Sequence, residues 1–177
     1  CALPISNVLP DDISMDADGM LLSPPDIDAE AFLVYERITD TMVTGKNLDI
    51  RREPASLTKL MTCLLALENA DPAAYVTVTA SALSTMDPDG STAGLQEGEV
   101  YTMEQLLYCL MVQSANDAAL VIAEYIGGSV DGFAALMNQR AEELGCTGSH
   151  FVNPHGMHDP DHYTTARDLL KITQADM

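Results

Sequence analysis

The sequence predicts a single domain of the α+β class, built from a few short strands and a larger number of helices. Its 177 residues, of which 47% are hydrophobic, can bury one sizeable core. Residues 31–35 and 41–43 have the composition of strands, and residues 37–40 between them form the turn of an antiparallel hairpin. Most other apolar segments follow helical spacing and are separated by Gly or Pro, so helices should make up most of the domain.

The chain is predicted to divide into a lead-in and a folded part. Residues 1–29 are acidic and contain several prolines, a composition that favours an extended segment with little regular structure. Residues 30–177 form the folded part. Cys1 is either a processed or an engineered chain start, and it could carry a lipid if it followed a signal peptide.

The first helix is predicted to begin near Ser56, where a wide apolar helical face starts, and to end at Asp71 and Pro72. Residues 75–79 then alternate like a short strand. The polar segment that follows, residues 87–99, is either a loop flanking a cleft or an ordinary surface loop.

The second half of the chain is predicted to be mainly helical. Thr102 and Gln105 match a capping box, in which both side chains accept hydrogen bonds from backbone N–H groups at a helix start. Glycines close two of the helical patterns that follow. The predicted helices cover residues 103–112, 118–126, 130–144 and 165–175, with a possible strand at residues 149–152.

The charge balance excludes some classes of partner. The chain has 27 acidic and 8 basic residues, a formal charge of −19. Nucleic acid is therefore not expected as a partner, because its phosphates need a basic surface. Loose association with an anionic membrane is disfavoured for the same reason. The apolar runs are too short to span a bilayer.

The cysteines are widely spaced and include no Cys-x-x-Cys pair, which disfavours a zinc or iron–sulfur site. Cys63, Cys109 and Cys146 fall in or beside apolar helical patterns. They are predicted to be small buried side chains rather than members of disulfides.

All four histidines lie within thirteen residues, beside Asp159 and Asp161, which suggests a metal site. However, the segment contains Gly and Pro and lacks the regular spacing of ligands on a helix. Neither a metal nor a cofactor is therefore predicted. The histidines are His150, His155, His158 and His162.

Ser56 and Lys59 are the strongest candidates for chemistry. A spacing of three residues at a helix start places the hydroxyl and the amine on one face, at the positive end of the helix dipole. Burial among Leu57, Leu60 and Met61 would lower the lysine pKa, as a general base requires. The competing interpretation is a serine N-cap beside a solvated lysine.

Ser114 and Asn116 form a second candidate element between two apolar helices. In a tight turn both side chains could point into one cleft. There the hydroxyl could relay a proton and the carboxamide could hold a substrate amide. The competing interpretation is again a helix N-cap, a position that both residue types favour.

Together these elements resemble the low-molecular-mass penicillin-binding proteins, which are serine-type D-alanyl-D-alanine carboxypeptidases of the peptidase S11 kind. The likeness runs from about residue 28 to the end. It includes Ser-Leu-Thr-Lys at 56–59, Ser-Ala-Asn at 114–116 and Asn-Pro-His-Gly at 153–156. The blocks that carry it are residues 54–62, 90–92 with 95–99, 113–119, 151–156 and 163–168.

The resemblance implies a fold and a set of roles. The fold would be that of β-lactamases and transpeptidases, a mostly antiparallel sheet flanked by helices. Ser56 would attack the carbonyl between two D-alanines and form an acyl-enzyme, with Lys59 taking its proton. Ser114 would pass a proton to the leaving amine, and Asn116 would bind the peptide amide and orient Lys59. β-Lactams would acylate the same serine.

The resemblance also implies a place and partners. The enzyme would act outside the bacterial cytoplasmic membrane on peptidoglycan stem peptides ending in D-Ala-D-Ala, and would touch the membrane only through parts absent here. Two alternatives stay open: a β-lactamase of the same fold, and a non-catalytic peptidoglycan-binding relative. Ala115 disfavours the first, because class A β-lactamases carry Asp at this place.

One element of the family is missing from these residues. No Lys-Thr-Gly occurs, and the only similar letters, Thr44-Gly45-Lys46, are in the wrong order and too early. That element supplies one oxyanion donor, whose loss costs roughly 10²–10³ in rate. The last helical pattern also lacks an exit signal. We therefore expect a truncated, poorly active chain that lacks the C-terminal part of the sheet and exposes a sheet edge.

Overall fold

The computed structural model describes residues 14–15, 21–22, 27–88 and 90–177. The chain divides into two compact units. The first comprises Cys1–Ile50 and Thr165–Arg167, and the second comprises Arg51–Thr164 and Asp168–Met177. The described residues form an α+β structure, as predicted, with small antiparallel sheets and six α-helices, of which α2 was not predicted.

The first unit is built on the predicted hairpin. Strand β3 (Phe32–Glu36) pairs antiparallel with β4 (Thr41–Lys46), with an irregularity between Val34 and Tyr35. Two shorter strands, β1 (Ser14–Met15) and β2 (Leu21–Leu22), pair with each other within the segment predicted as an extended lead-in. The rest of that segment before residue 27, including Cys1, lies outside the described residues.

Strand β4 extends three residues beyond the predicted end and includes Gly45. A Cβ at Gly45 would lie 2.6 Å from Leu48 Cδ2 and 3.2 Å from the carbonyl oxygen of Phe32. Thr44-Gly45-Lys46 is therefore a strand segment with a packing reason for its glycine.

The second unit is mainly helical. A 3-10 turn (Ala55–Leu57) leads into α1 (Thr58–Asn69), which packs against α3 (Met103–Val112), α4 (Asn116–Gly127) and α5 (Val130–Glu143). Helix α4 is buried along its first eight residues. Three of these are alanine, whose small side chains let neighbouring helices approach closely. The fully buried large side chains of the unit include Ile122 of α4 and, on other elements, Met61, Leu106, Leu110, Phe133 and Met137.

Helix α3 begins at the predicted capping box. The backbone N–H of Gln105 donates to Thr102 Oγ1 at 3.2 Å, and the N–H of Thr102 donates to Gln105 Oε1 at 2.8 Å. Helix α4 ends at Gly128, whose φ of 72° suits a residue without a Cβ. The last helix, α6 (Ala166–Asp176), lies one residue beyond its predicted position.

The local predictions were incomplete around the second sheet. Strand β5 (Tyr75–Thr77) is shorter than predicted, because Thr79 instead caps a short helix, α2 (Ala80–Leu83), by accepting a hydrogen bond from the N–H of Ala82 at 3.0 Å. Its partner, β6 (Val100–Thr102), was not predicted, since three residues are too few to show alternation.

The predicted strand at residues 149–152 is wrong. His150 makes only an isolated antiparallel bridge to Tyr163, and the segment continues as a loop. Its apolar residues have another role, since Phe151 is buried in the core of the second unit.

The prediction that Cys63, Cys109 and Cys146 are buried and free of disulfides is confirmed in part. Cys63 and Cys146 are buried, Cys109 is half-buried, and none of the three forms a disulfide. Burial raises the pKa of both buried thiols to about 12, which makes them poor nucleophiles at neutral pH.

Among the residues that the structure describes, no single helix has the length and apolar composition needed to cross a membrane. Helices α4 and α5 reach that threshold only when taken together, and they meet at 81°.

Candidate active site

Ser56 and Lys59 meet at the start of α1. Ser56 is exposed in the 3-10 turn that precedes the helix, and its Oγ accepts a hydrogen bond from Lys59 Nζ at 3.2 Å. Neither the turn nor α1 has a side-chain cap. The interpretation of Ser56 as an N-cap is therefore wrong, and its hydroxyl is directed to the lysine instead.

Lys59 is buried rather than solvated, with 3% of its surface exposed. Its Nζ donates to Ser56 Oγ and, at 3.0 Å, to the carbonyl oxygen of His155. No carboxylate forms an ion pair with it among the described residues. Burial lowers the pKa of Lys59 from 10.5 to about 8. About one molecule in ten then carries a neutral amine at pH 7, which can accept a proton from the serine.

The loop at residues 152–158 lies against the first turns of α1. Pro154 accepts a hydrogen bond from Thr62 Oγ1 at 2.6 Å, one turn beyond the bond between His155 and Lys59. Gly156 has a φ of 89°, and a Cβ there would lie 1.8 Å from the carbonyl oxygen of Ala55. The backbone of this loop thus packs directly against the residue before Ser56.

His162 makes a further contact with α1. Its Nδ1 accepts a hydrogen bond from the N–H of Val152 at 3.1 Å. In a neutral ring the hydrogen is then on Nε2, which donates to Thr58 Oγ1 at 2.8 Å. Thr58 and His162 are 0% and 2% exposed, so both ends of this bond are shielded from water.

The four histidines do not converge on one point. His155 and His162 pack toward α1, and burial lowers the pKa of each to about 4, so both rings are neutral at pH 7. His150 Nδ1 donates to the carbonyl oxygen of Asp161 at 2.6 Å, and His158 pairs with Glu53 at 3.0 Å. Within residues 27–88 and 90–177, no group of three or more His, Cys, Asp or Glu side chains is arranged to hold a metal ion.

Ser114 lies beside the same cleft as Ser56 and Lys59. It has a φ of 56°, unusual for a residue with a side chain, and this conformation ends one helix before the next begins. Helix α4 has Ala115 at its N-cap and no side-chain cap, so the N-cap interpretation is wrong for both Ser114 and Asn116.

Asn116 is almost fully buried at the first position of α4, with 5% of its surface exposed. Its N–H donates to the carbonyl oxygen of Ser91 at 2.7 Å. A Cβ on Gly90 would lie 2.5 Å from Asn116 Nδ2, so the glycine backbone packs on the carboxamide. Among the described residues, no hydrogen bond joins the side chain of Ser114 or Asn116 to Lys59. The orientation of Lys59 by Asn116 stays a prediction.

Asp117, which the sequence analysis did not select, fixes the loop at residues 90–95. Its carboxylate accepts hydrogen bonds from Thr92 Oγ1 at 2.5 Å and from the N–H groups of Ala93, Gly94 and Leu95 at 2.9–3.0 Å. Burial raises its pKa, but these bonds outweigh burial and lower it overall. Within the segment 87–99, the residues bonded to Asp117 therefore form an ordered loop beside Asn116. An acidic residue in the first turn of a helix that is mostly apolar was the sequence signal for this role.

The cleft at Ser56 has a volume of about 340 Å³. Its polar groups are Ser56, Lys59 and Ser114, and its walls include Leu60 and Met111. A serine hydrogen-bonded to a partly neutral lysine in an apolar cleft is an arrangement suited to nucleophilic acyl transfer. Sequence reasoning also missed Thr58, Thr62 and His162, whose contacts are far apart in the chain.

Comparisons with known proteins place the chain in a family. The sequence profile of the D-alanyl-D-alanine carboxypeptidase family, peptidase S11, matches residues 18–177. The chain is 32% identical to D-alanyl-D-alanine carboxypeptidase DacA of Escherichia coli (strain K12), over 99% of this chain and 45% of the relative. It is 35% identical to DacF of Bacillus subtilis (strain 168), over 86% of this chain and 40% of that protein.

The fold is likewise similar to that of a solved penicillin-binding protein. The crystal structure of penicillin binding protein 6B from Escherichia coli matches with a TM-score of 0.79 and 33% sequence identity, over 87% of this chain and 51% of that one. The chain spans less than half the length of the two curated relatives. By sequence and by fold, the chain belongs to the D-alanyl-D-alanine carboxypeptidase family, peptidase S11.

Proposed function

We propose that the protein carrying this chain is a serine D,D-peptidase that removes the terminal D-alanine from peptidoglycan stem pentapeptides. The observation that carries the proposal is the 3.2 Å hydrogen bond between Ser56 Oγ and Lys59 Nζ, made by a lysine whose pKa burial lowers to about 8. The names of the relatives support the substrate class, since they are D-alanyl-D-alanine carboxypeptidases.

Acylation starts when neutral Lys59 takes the proton of Ser56. The serine Oγ then forms a bond to the carbonyl carbon between the two D-alanines. The backbone N–H of Ser56, at the N-terminal end of α1, stabilises the developing oxyanion. Ser114 relays the proton from Lys59 to the leaving amine as the peptide bond breaks, so both side chains return to their starting protonation states. Asn116 binds the peptide amide. D-Alanine leaves and an ester on Ser56 remains.

Deacylation completes the cycle when water attacks the ester and Ser56 regains its proton. With a β-lactam the amine produced on ring opening stays attached to the acyl group, so it remains near the ester and hinders the attack of water. We therefore propose β-lactam antibiotics as inhibitors that acylate Ser56.

The proposal extends to the organisation and location of the protein. Residues 30–177 form the N-terminal portion of the catalytic domain. The stem peptides are outside the cytoplasmic membrane of bacteria, so the enzyme acts there. Its acidic surface, with a formal charge of −19, gives no reason to expect nucleic acid as a partner.

Labelling with a fluorescent penicillin tests the proposal. The protein should form a covalent adduct that mass spectrometry assigns to Ser56, and Ser56→Ala should form none. Release of D-alanine from a stem pentapeptide, measured in parallel, tests the substrate. The absence of any adduct on folded protein would favour the non-catalytic alternative, whereas rapid hydrolysis of the adduct would favour a β-lactamase.

A further inference from the structure

His162 is a buried imidazole that the proposed mechanism does not use. It is 2% exposed, and both of its ring nitrogens have partners. Its ring also packs edge-on against Phe151, with ring centres 5.6 Å apart. Both nitrogens of a buried ring need partners, and here the two partners come from different segments of the chain, Thr58 in α1 and Val152 in the loop.

The two partners of His162 belong to the two segments that Lys59 also joins. Thr58 immediately precedes Lys59 in the first turn of α1 and is fully buried. Val152 begins the loop whose next residues supply the carbonyl oxygens of Pro154 and His155. One of these oxygens accepts from Lys59 Nζ. The ring therefore links the first turn of α1, which carries Lys59, to the loop whose carbonyl oxygen accepts a hydrogen bond from Lys59.

We propose that His162 is a positioning residue: by bridging Thr58 and Val152, it fixes the first turn of α1 against the loop at residues 152–156. Through that contact it sets where Lys59 Nζ lies relative to Ser56 Oγ and the carbonyl oxygen of His155. The consequence for acylation rests on the proposed function, whereas the consequence for the environment of Lys59 does not.

The bridge requires a neutral ring. Protonation would place a hydrogen on Nδ1, which could then no longer accept from Val152. Asp159 and Glu53 favour the protonated form of His162, and His150 opposes it. His155 also interacts electrostatically with His162. Burial outweighs the two carboxylates, so the bridge is intact at neutral pH.

Three substitutions separate the bridge from core packing. Thr58→Val removes the hydroxyl that accepts from Nε2 and keeps the shape of the side chain. His162→Phe keeps a ring but removes both nitrogens. His162→Gln retains an N–H donor near the position of Nε2, so it should restore part of the bridge. His158→Gln is the matched control, because His158 lies in the same loop region but is exposed and pairs with Glu53.

The first measurement is the titration of Lys59 itself. The chain has three lysines, so 13C-labelled lysine gives few enough NMR signals to follow each one, and Lys59→Arg identifies its signal. In the unchanged protein Lys59 should titrate near pH 8. With Thr58→Val or His162→Phe, a loosened loop admits water to the amine, and the midpoint should move up toward 10.5. The Lys59 midpoint in His162→Gln should lie between these two values, and the midpoint in His158→Gln should equal that of the unsubstituted protein.

The second measurement separates binding from acylation of the protein by a penicillin. For Thr58→Val and His162→Phe, the rate constant at saturation should fall roughly 10- to 100-fold, because a misplaced base loses near-attack geometry. The dissociation constant of the non-covalent complex should change less than about twofold, since the cleft walls are intact.

Unchanged Lys59 titration and unchanged acylation in a folded Thr58→Val variant would overturn the inference. That variant is decisive if His162→Phe fails to fold, which circular dichroism would reveal. If the unchanged protein is not acylated at all, the proposed function fails, but the NMR titration still decides whether His162 positions Lys59.

Discussion

At the scale of single residues, the properties of Lys59 follow from the place of one amine in the fold. The amine is buried among apolar side chains of α1, receives no carboxylate partner in the described residues, and donates only to Ser56 and to the carbonyl oxygen of His155. An ammonium in such a place loses hydration without gaining a counter-charge, so its pKa falls. Lys59 can therefore act as the proposed base because burial lowers its pKa.

The pH dependence of acylation follows from this pKa. Only the neutral amine can take the serine proton, so the rate constant should rise with pH and level off above about pH 8. Lys59→Arg stays protonated and should lower the rate by roughly 10²–10⁴. Stopped-flow acylation by a penicillin measures both effects, with Lys46→Arg in the hairpin as a control. A rate that does not depend on pH between 6 and 9 would contradict the role of Lys59.

Gly156 gives a second test at this scale. Alanine there has an unfavourable φ of 89°, and its Cβ would collide with the carbonyl oxygen of Ala55 at 1.8 Å. Gly145→Ala is a matched control, because Gly145 has a φ of 71° but nothing within 4 Å of its added Cβ. The control should cost about 1–2 kcal/mol in free energy of unfolding.

Gly156→Ala should cost roughly 1–3 kcal/mol more than the control, because the collision adds to the strain. It should also slow acylation, since Ala55 precedes Ser56. Urea unfolding measures the stability of both variants. Equal losses would show that the close approach to Ala55 is unimportant.

At the scale of elements, the start of α4 holds the loop at residues 90–95 in place. Asn116 and Asp117 occupy its first turn, and the loop at residues 90–95 is bonded to both of them. The four N-terminal N–H groups of a helix favour an anion nearby, which adds to the stability of the Asp117 carboxylate. A helix that is buried nearly all round thus carries a polar first turn because that turn faces the loop.

Asp117→Asn tests this arrangement. The neutral carboxamide loses the charge that strengthens several hydrogen bonds to the loop, so the free energy of unfolding should fall by about 2–3 kcal/mol at pH 7. Because folding lowers the pKa of Asp117, its contribution is complete above the pKa of the unfolded chain and disappears as pH falls through the folded value.

Asp131→Asn is the control for that substitution. Asp131 lies exposed in the first turn of α5, and its loss should cost less than about 1 kcal/mol. Urea titrations at pH 7 measure the difference between the two variants. Similar losses for both would mean that Asp117 acts only as a helix-terminal charge.

At the scale of the whole molecule, two neutral histidines, His162 buried and His155 half-buried, make stability depend on pH. His155 and His162 have pKa values lowered from 6.5 to about 4, so the unfolded chain binds protons that the folded chain rejects between these values. Stability should therefore decrease as pH falls from 6.5 to 4, by up to about 3 kcal/mol for each ring.

Urea unfolding at several pH values measures this loss. In His162→Gln the dependence on pH should weaken, because one of the two rings no longer titrates, whereas His158→Gln should keep the full dependence. The variants are compared by the slope of the free energy of unfolding against pH. A loss of stability that is the same at every pH does not change this slope. An unchanged slope in His162→Gln would contradict the prediction.

The absence of Lys-Thr-Gly from the 177 residues leads to a prediction about activity. Without the second oxyanion donor that this element supplies in the family, these residues alone should release D-alanine at least roughly 10²-fold more slowly than a family member that has it. A steady-state assay on the 177-residue chain measures this. Turnover at ordinary enzyme rates, about 1 s⁻¹ or more, would contradict it.

Much of the architecture could be predicted from local sequence. The hairpin, the capping box at Thr102 and the long helices were recognisable because turn chemistry, capping and apolar periodicity act over a few residues. Short elements were not. Strand β6 and helix α2 each have four residues or fewer, and they depend on partners such as Tyr75 and on the cap at Thr79.

The sequence by itself determined the family, the identity of the proposed nucleophile and base, and the class of fold, because short motifs and helical spacing express these locally. Only the tertiary structure decided that Lys59 donates to His155, that Asp117 fixes the loop at residues 90–95, and that His162 contacts Thr58. These contacts join residues between 22 and 104 positions apart. No pattern along the chain encodes such pairs, since they depend on how packed helices bring distant segments together.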